Sequence, residues 1–168
     1  SERRRGVKLQ SKHEIGGMIE CILVVRLEHS NASVRRAAAK ALGKLPPVAL
    51  QAHASALVAT LEDSEGSVRR AAVRALGKLP PEALQAHAGA LVAKLEDSDR
   101  GVRRAAVQTL GKLPPEVLAA HAAAVLAKLE DSDSEVRVAA VQTLGQLPPE
   151  ALAAHAAAVL AKLEDSNS

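Results

Sequence analysis

The chain has 168 residues, enough for one ordinary domain with a hydrophobic core. Its hydrophobic content of 48% includes much alanine and no Phe, Tyr or Trp, which favours closely packed helices and argues against functions that need aromatic stacking. The net charge is +3, but residues 1–12 hold five basic residues and one acid, so the body is nearly neutral and its electrostatics depend on arrangement.

The sequence of the N-terminal part predicts a basic arm at 1–12, followed by an irregular first repeat. Cys21 is the only cysteine, which excludes an intrachain disulfide and suits a reducing, intracellular compartment. We expect this cysteine to be a buried apolar residue. No secretory signal is apparent, and the apolar stretch at 19–25 is too short to cross a bilayer, so we expect a soluble protein.

A period of 34 residues governs the rest of the chain. Pro-Pro pairs and Leu-Glu pairs both recur at this step, the prolines at 46–47, 80–81, 114–115 and 148–149. Such a period is typical of a solenoid. We predict one solenoid over 13–168, with a degenerate capping repeat, three full repeats and an unpaired final half repeat, at 13–45, 46–79, 80–113, 114–147 and 148–168.

The sequence pattern of each repeat predicts two helices. The first, here the proline helix, begins with its second proline at the first helical position and continues to Leu-Glu. The second, here the VR-helix, follows a short polar turn, where Asn31, Glu65, Asp99 and Asp133 are placed to cap it. In the VR-helix at 68–79 one apolar face is formed by Val68, Ala72, Ala75, Leu76 and Leu79, and Gly77 with the following prolines helps to end the helix.

The recurring pattern Asp-x5-Arg, followed by VRxxAxxxLGxL, resembles the HEAT repeat. It is similar to the phycobilisome-lyase-like variety and to consensus-designed HEAT-like arrays. The resemblance implies an all-α, right-handed solenoid that serves as an interaction scaffold, with the VR-helices lining the concave face. A designed consensus-like array and a bilin-lyase-like subunit are further alternatives.

The resemblance also implies a ladder of ion pairs between neighbouring repeats. Its members would be Arg35, Arg69, Arg103 and Arg137 together with Asp63, Asp97 and Asp131. A partly buried arginine needs a carboxylate partner, so we assign this set a structural role. The first position departs from the pattern, because His29 stands where an aspartate is expected.

A second set of basic residues lies on the opposite side of the VR-helices and is the predicted binding stripe. The spacing i, i+4, i+8 in successive repeats would form a lattice whose basic content fades toward the C-terminus. This basic stripe consists of Arg36, Lys40, Lys44, Arg70, Arg74, Lys78, Arg104 and Lys112. The alternative is an ordinary solvated helix face.

One histidine recurs per repeat, at His53, His87, His121 and His155. Equivalent residues of stacked repeats lie about 10 Å apart and cannot converge on one zinc ion, so we expect packed, hydrogen-bonded histidines in the seams. The sequence carries no catalytic, metal-binding or phosphate-binding motif, and we predict no enzyme activity, metal or cofactor.

The sequence therefore predicts a protein-binding scaffold or a subunit of a larger assembly, whose partner presents an acidic surface. The alternative is a binder of another anionic ligand, a nucleic acid or a membrane surface, through the stripe and the arm. Nucleic acid is disfavoured because the chain has no aromatic residues to stack on bases. The final helix would expose Leu152, Val159 and Leu163, so we expect further repeats, a partner or a second copy to cover that end.

Overall fold

The computed structural model describes residues 16–156, which contain helices and no strand. The predicted arm at 1–12 lies outside this part of the chain, as do Val159 and Leu163 of the final helix. Throughout the described residues the period of 34 residues reappears as a period of helices, so the predicted all-α repeat architecture is confirmed.

The helices follow one another without long connections. The VR-helices are α2 (Ala32–Leu42), α5 (Gly66–Leu76), α8 (Arg100–Leu110) and α11 (Ser134–Leu144). The proline helices give α3 (Pro47–Ala52) and α4 (Ala54–Thr60), α6 (Pro81–Gln85) and α7 (Ala88–Ala93), and α9 (Pro115–Ala120) and α10 (Ala122–Ala127). Short 3₁₀ turns follow at Lys94–Glu96 and Lys128–Glu130, and α1 and α12 occupy 16–26 and 149–156.

Each proline helix begins as predicted but does not run unbroken to Leu-Glu. Pro81 is the first residue of α6, and Pro80 before it is extended at φ −56° and ψ 148°. The expected single helix is interrupted at the recurring histidine, where His53 has φ −108° and ψ 8° and joins α3 to α4. Neither proline nor glycine marks this break, and His87 and His121 repeat it.

The VR-helices bury the predicted apolar face. In α5 and the turn after it, Val68, Ala72 and Leu76 are fully buried, and Ala75 and Leu79 are nearly so. Side chains of Asn31, Asp99 and Asp133 accept hydrogen bonds from backbone N–H groups in the first turn, as expected of caps. The prediction for Glu65 was wrong, since its side chain makes no capping bond.

The glycines near the ends of the VR-helices permit close helix packing and do not terminate the helices by a left-handed conformation. Gly77 has φ −67°, and a Cβ added there would lie 3.0 Å from Thr109 Oγ1. At Gly43 an added Cβ would lie 3.0 Å from the Cα of Ala75 in the next VR-helix. Gly77 is the C-cap residue of α5, in keeping with the prediction that it helps to end the helix, and it has in addition a packing role that the sequence did not predict.

The repeats form two layers. Successive VR-helices pack against one another in the order α2, α5, α8 and α11, while α4, α7 and α10 pack against the VR-helices that follow them. A continuous core of leucine, valine and alanine fills the space between the layers. Within residues 16–156 no helix is both long and apolar enough to span a membrane.

The first helix presents four large apolar side chains to solvent, more than any other helix of the described residues. Met18, Ile22 and Val25 of α1 are 60%, 51% and 69% exposed. Cys21 is also exposed, so the expectation that it is buried was wrong. Among the described residues, Leu23 and Val24 of this helix and Leu27 just after it pack against the core.

Candidate binding site

The first group of predicted residues forms bidentate ion pairs between neighbouring repeats. Arginine Nε and Nη2 of one VR-helix donate to both carboxylate oxygens of an aspartate 28 residues later. The donor–acceptor distances are 2.6 and 2.9 Å for Arg35 with Asp63, 2.8 and 2.7 Å for Arg69 with Asp97, and 2.9 and 2.9 Å for Arg103 with Asp131.

Each arginine also binds its own repeat, because Nη1 donates to the carbonyl oxygen six residues earlier. Arg69 Nη1 lies 2.7 Å from the carbonyl oxygen of Asp63, and Arg103 Nη1 lies 3.0 Å from that of Asp97. Asp97 Oδ1 in turn accepts from the Asp99 backbone N–H at 2.9 Å. One pair therefore fixes two repeats and the turn between their helices, and this network is called the Arg–Asp ladder below.

The ladder lies in a largely buried seam, and this changes the acidity of its carboxyl groups. The aspartate side chains are 4–9% exposed. Hydrogen bonds from Arg35 and Arg103 hold the pKa values of Asp63 and Asp131 below their ordinary value of 3.8. Burial alone raises the pKa of Asp97, but the hydrogen bonds from Arg69 and the Asp99 N–H outweigh it, so its pKa is also lowered.

The two ends of the ladder differ from its middle. His29 stands at the position of the ladder aspartates. Its ring Nδ1 accepts from the Asn31 N–H at 3.0 Å, and its carbonyl oxygen accepts from Arg35. Arg137 donates to the carbonyl oxygens of Asp131 and Ser132, and its equivalent aspartate, Asp165, lies outside the described residues.

The basic stripe lies on the other side of the same helices, and six of its members line one groove between α2 and α5. The groove has a volume of about 340 Å³ and includes no acidic side chain among its lining residues. Its basic residues are Arg36, Lys40, Lys44, Arg70, Arg74 and Lys78. None of the six forms an ion pair or a side-chain hydrogen bond with another residue in the described range, 16–156.

Small residues form the floor of this basic groove. Gly43, Ala71 and Ala75 line it together with the basic side chains. A Cβ at Gly43 would lie only 3.0 Å from Ala75, so the glycine lets α2 and α5 approach closely, and the long side chains form the walls. The groove thus presents an apolar base between cationic walls.

The remaining two stripe residues are engaged within the protein. Arg104 forms an ion pair with Glu135 of the next VR-helix. Lys112 Nζ donates to the carbonyl oxygen of Gly77 at 2.7 Å, and burial, together with the charge of Lys78, lowers the pKa of Lys112. Lys112 therefore helps to satisfy the carboxyl end of α5, a role that the helical wheel of its own repeat does not predict.

Between α8 and α11 the equivalent groove is no longer basic. It has a volume of about 270 Å³, and Val138 there occupies the position of Arg36 and Arg70. Gln108 and Gln142 replace the cations one turn further along. Because the number of basic residues falls along the sequence, this face of the VR-helices carries a basic groove between α2 and α5 and a neutral groove between α8 and α11.

A second series of ion pairs joins the proline helices and was missed in the sequence. Lys94 Nζ lies 2.9 Å from Glu62, and Lys128 Nζ lies 2.7 Å from Glu96 of the preceding repeat. The lysines are mostly buried, whereas the glutamates are exposed. The recurring Lys-Leu-Glu was the available signal, since it places a lysine and a glutamate at the same seam of successive repeats.

The recurring histidines do not all behave as expected. His53 Nε2 lies 3.0 Å from Glu20 of α1, but His87 and His121 are half-buried without a side-chain hydrogen bond to any residue of 16–156. The described residues contain no group of His, Cys, Asp or Glu arranged to hold a metal ion.

Stacked two-helix repeats joined by a buried ion-pair ladder define an α-solenoid of the helical-repeat class. The chain belongs to the HEAT-repeat family: the family profile of HEAT repeats matches residues 21–86, 54–127 and 88–168. The resemblance seen in the sequence is therefore confirmed. No curated protein sequence matches the chain significantly.

Solved structures give the same result. An engineered protein aligns over 79% of this chain and 64% of its own, with 26% identity and a TM-score of 0.64. In the complex of CpcE and CpcF of phycocyanin lyase from Nostoc sp., the aligned chain gives 26% identity and a TM-score of 0.52, with 79% of this chain and 66% of that chain covered.

A designed armadillo repeat protein in complex with the peptide (KR)4 shares the fold at 23% identity and a TM-score of 0.61, covering 75% of this chain and 63% of its own. This chain spans less than two thirds of the length of either the first engineered protein or the armadillo protein. Two of these three structures are of engineered or designed proteins, and the third is of a lyase complex.

Proposed function

We propose that this protein is a non-enzymatic binding scaffold that holds an acidic segment of a partner protein in the basic groove between α2 and α5. The observation that carries the proposal is the groove itself, in which six cationic side chains converge without a carboxylate among the lining residues. Elsewhere on the same helices, Arg35 and Arg69 are matched by aspartates. A partner segment that supplies carboxylates would give the basic side chains of the groove ion-pair partners as well.

The composition supports an extended protein segment over a nucleic acid. Single-stranded nucleic acids are usually held by a basic track together with aromatic side chains that stack on the bases. This chain has no aromatic residue, and the groove floor is formed by Gly43, Ala71 and Ala75. Helical-repeat solenoids commonly present one extended face to a protein partner, and the VR-helices supply such a face here.

The proposal is tested with a fluorescent oligoglutamate peptide titrated against the whole chain at low ionic strength. The groove variant Arg36→Gln, Arg70→Gln, Arg74→Gln should bind the peptide about tenfold more weakly, because three exposed charge pairs contribute roughly 0.2–1 kcal/mol each. Binding by the wild type should also weaken as salt is added.

The matched control changes the net charge equally without touching the groove. Ser55, Gly89 and Ala123 are equivalent exposed residues in the first turns of α4, α7 and α10, where a glutamate is well tolerated. The variant Ser55→Glu, Gly89→Glu, Ala123→Glu should retain the wild-type affinity. Equal loss in both variants, or stronger binding of a single-stranded DNA oligonucleotide than of the peptide, would overturn the proposal.

A further inference from the structure

We infer that the second residue of each VR-helix sets the extent of the surface that binds the acidic segment, and that Glu135 ends this surface by pairing with Arg104 in place of the partner. This inference rests on the proposed function and names the position that determines where the partner can bind. It starts from a difference between repeats, since Glu135 stands where the preceding VR-helices have Gly101 and Ser67.

The second residue of a VR-helix lies beside a stripe arginine of the VR-helix before it. Glu135 of α11 forms an ion pair with Arg104 of α8. At Gly101 of α8, an added Cβ would lie 2.8 Å from Nη1 of Arg70, so this guanidinium of α5 lies directly against the glycine. A carboxylate at this position therefore reaches the arginine of the preceding helix, whereas a small residue leaves that arginine open.

A second cavity continues from the basic groove toward α11. It has a volume of about 560 Å³ and shares Arg70 with the groove, while Arg100 and Arg104 add further basic side chains. Both of these arginines are paired within the chain, because Arg100 Nη1 lies 3.0 Å from Asp133 Oδ2 and Arg104 is paired with Glu135. An acidic segment that passes Arg70 therefore meets basic side chains that already have carboxylate partners.

The Arg104–Glu135 pair is open to water, unlike the pairs of the ladder. The side chains of Arg104 and Glu135 are 39% and 64% exposed, compared with 13% and 4% for Arg103 and Asp131. Exposed ion pairs contribute little to stability. Because the chain itself holds Glu135 beside Arg104, a partner carboxylate must displace it before it can pair. The pair is thus placed to affect binding and not the stacking of the repeats.

The first test is Glu135→Gln, which frees Arg104 and keeps the shape of the side chain. Fluorescent oligoglutamates of about six and about nine residues are titrated against the whole chain at low ionic strength, since three further residues span about one helix spacing. The advantage of the longer peptide over the shorter should be about threefold greater in Glu135→Gln than in the wild type, as expected from one exposed charge pair.

Two further variants show whether this gain comes from Arg104. Glu116→Gln removes an exposed glutamate from the first turn of α9, so it changes the net charge equally, and it should leave the advantage of the longer peptide at the wild-type value. Adding Arg104→Gln to Glu135→Gln should abolish the gain, because Arg104 is the cation that the first substitution releases.

The reverse change places a carboxylate in the basic groove. Ser67 lines the groove between Arg36 and Arg70, so Ser67→Glu should pair with these arginines and weaken the binding of both peptides by about threefold or more. The control Ser55→Glu introduces the same charge in the first turn of α4 and should bind like the wild type.

The outcomes separate this inference from the proposed function. The same advantage of the longer peptide in the wild type and in Glu135→Gln would overturn the inference and leave the basic groove intact, as would an equal gain in Glu116→Gln. A gain that persists after Arg104→Gln is added would also overturn it. Absence of any oligoglutamate binding by the wild type would instead overturn the proposed function.

Discussion

The Arg–Asp ladder and the basic groove take their arginines from adjacent residues of the same helices, yet they are built differently. Arg69 is fixed by two hydrogen bonds to Asp97 and two to backbone carbonyls, and its side chain is 12% exposed. Arg70, the next residue, lines the groove without an ion-pair partner in the described part of the chain. One helical step of about 100° separates a buried charge from an open one.

The difference teaches how to distinguish charges that build the repeat from charges that are free to bind. The ladder arginine is the same in every described repeat and the ladder aspartate in all but the first, where His29 stands, because each pair must join one unit to the next. Groove positions change from arginine to valine and from lysine to glutamine, while the helices that carry them are unchanged. A charged residue that recurs at the same position of successive repeats is therefore interpreted as structural. A position whose residue changes between repeats is interpreted as part of a binding surface.

The largest effect is expected from removing one side of a ladder pair. Asp97→Ala should lower the free energy of unfolding by about 2 kcal/mol, because it strands a largely buried arginine and removes the acceptor of the Asp99 N–H. This lies between the cost of breaking an exposed pair and that of breaking a fully buried one. Thermal and denaturant unfolding measure the loss.

The matched change in the groove is Arg70→Ala, which should alter the free energy of unfolding by less than about 0.5 kcal/mol. Asp97→Asn should lie between the two, since the amide oxygen can still accept one of the hydrogen bonds. Equal losses in Asp97→Ala and Arg70→Ala would remove the distinction between ladder and groove.

A more gradual effect is expected on acidification. The pKa values of Asp63, Asp97 and Asp131 are lower in the folded chain than the ordinary value of 3.8, so the ladder contributes stability that is fully present above that value. This stability should be lost as the pH falls below about 4 and through the lowered folded pKa values. Denaturant unfolding at a series of pH values would show the decline, and Asp97→Asn should show a shallower one.

The smallest effects are expected from substitutions that compare Lys112 with another stripe residue, Lys78. Lys112→Gln should cost roughly 0.5–1 kcal/mol of stability by weakening the hydrogen bond to the carbonyl oxygen of Gly77, and should barely change oligoglutamate binding. Lys78→Gln should do the reverse, because Lys78 lines the groove. Unfolding and peptide titrations of both variants measure these effects. A larger loss of binding for Lys112→Gln than for Lys78→Gln would show that Lys112 belongs to the binding surface.

The repeat period and the helix faces could be predicted from the sequence because they depend on local spacing. Pro-Pro at the start of α6 and the buried face of Val68, Ala72 and Leu76 follow from helix geometry within one repeat. The division of adjacent arginines between two surfaces follows from the same 100° step. These features need no knowledge of how one repeat sits on the next.

Features that depend on contacts between repeats could not be predicted in this way. The packing role of Gly77 depends on Thr109, the engagement of Lys112 on the Gly77 carbonyl, and the ion pair of Arg104 on Glu135. Each partner lies about one repeat away, at a distance set by the stacking. The break at His53 also leaves no local signal, since the histidine is neither a helix breaker nor a usual cap.

The central claim, that adjacent arginines serve separate functions, is tested most directly by measuring unfolding and oligoglutamate binding in parallel. The two variants are Asp97→Ala and the groove triple Arg36→Gln, Arg70→Gln, Arg74→Gln. Below its unfolding transition Asp97→Ala should bind like the wild type while being less stable, and the groove triple should keep wild-type stability while binding about tenfold more weakly. Loss of both properties in either variant would contradict the account.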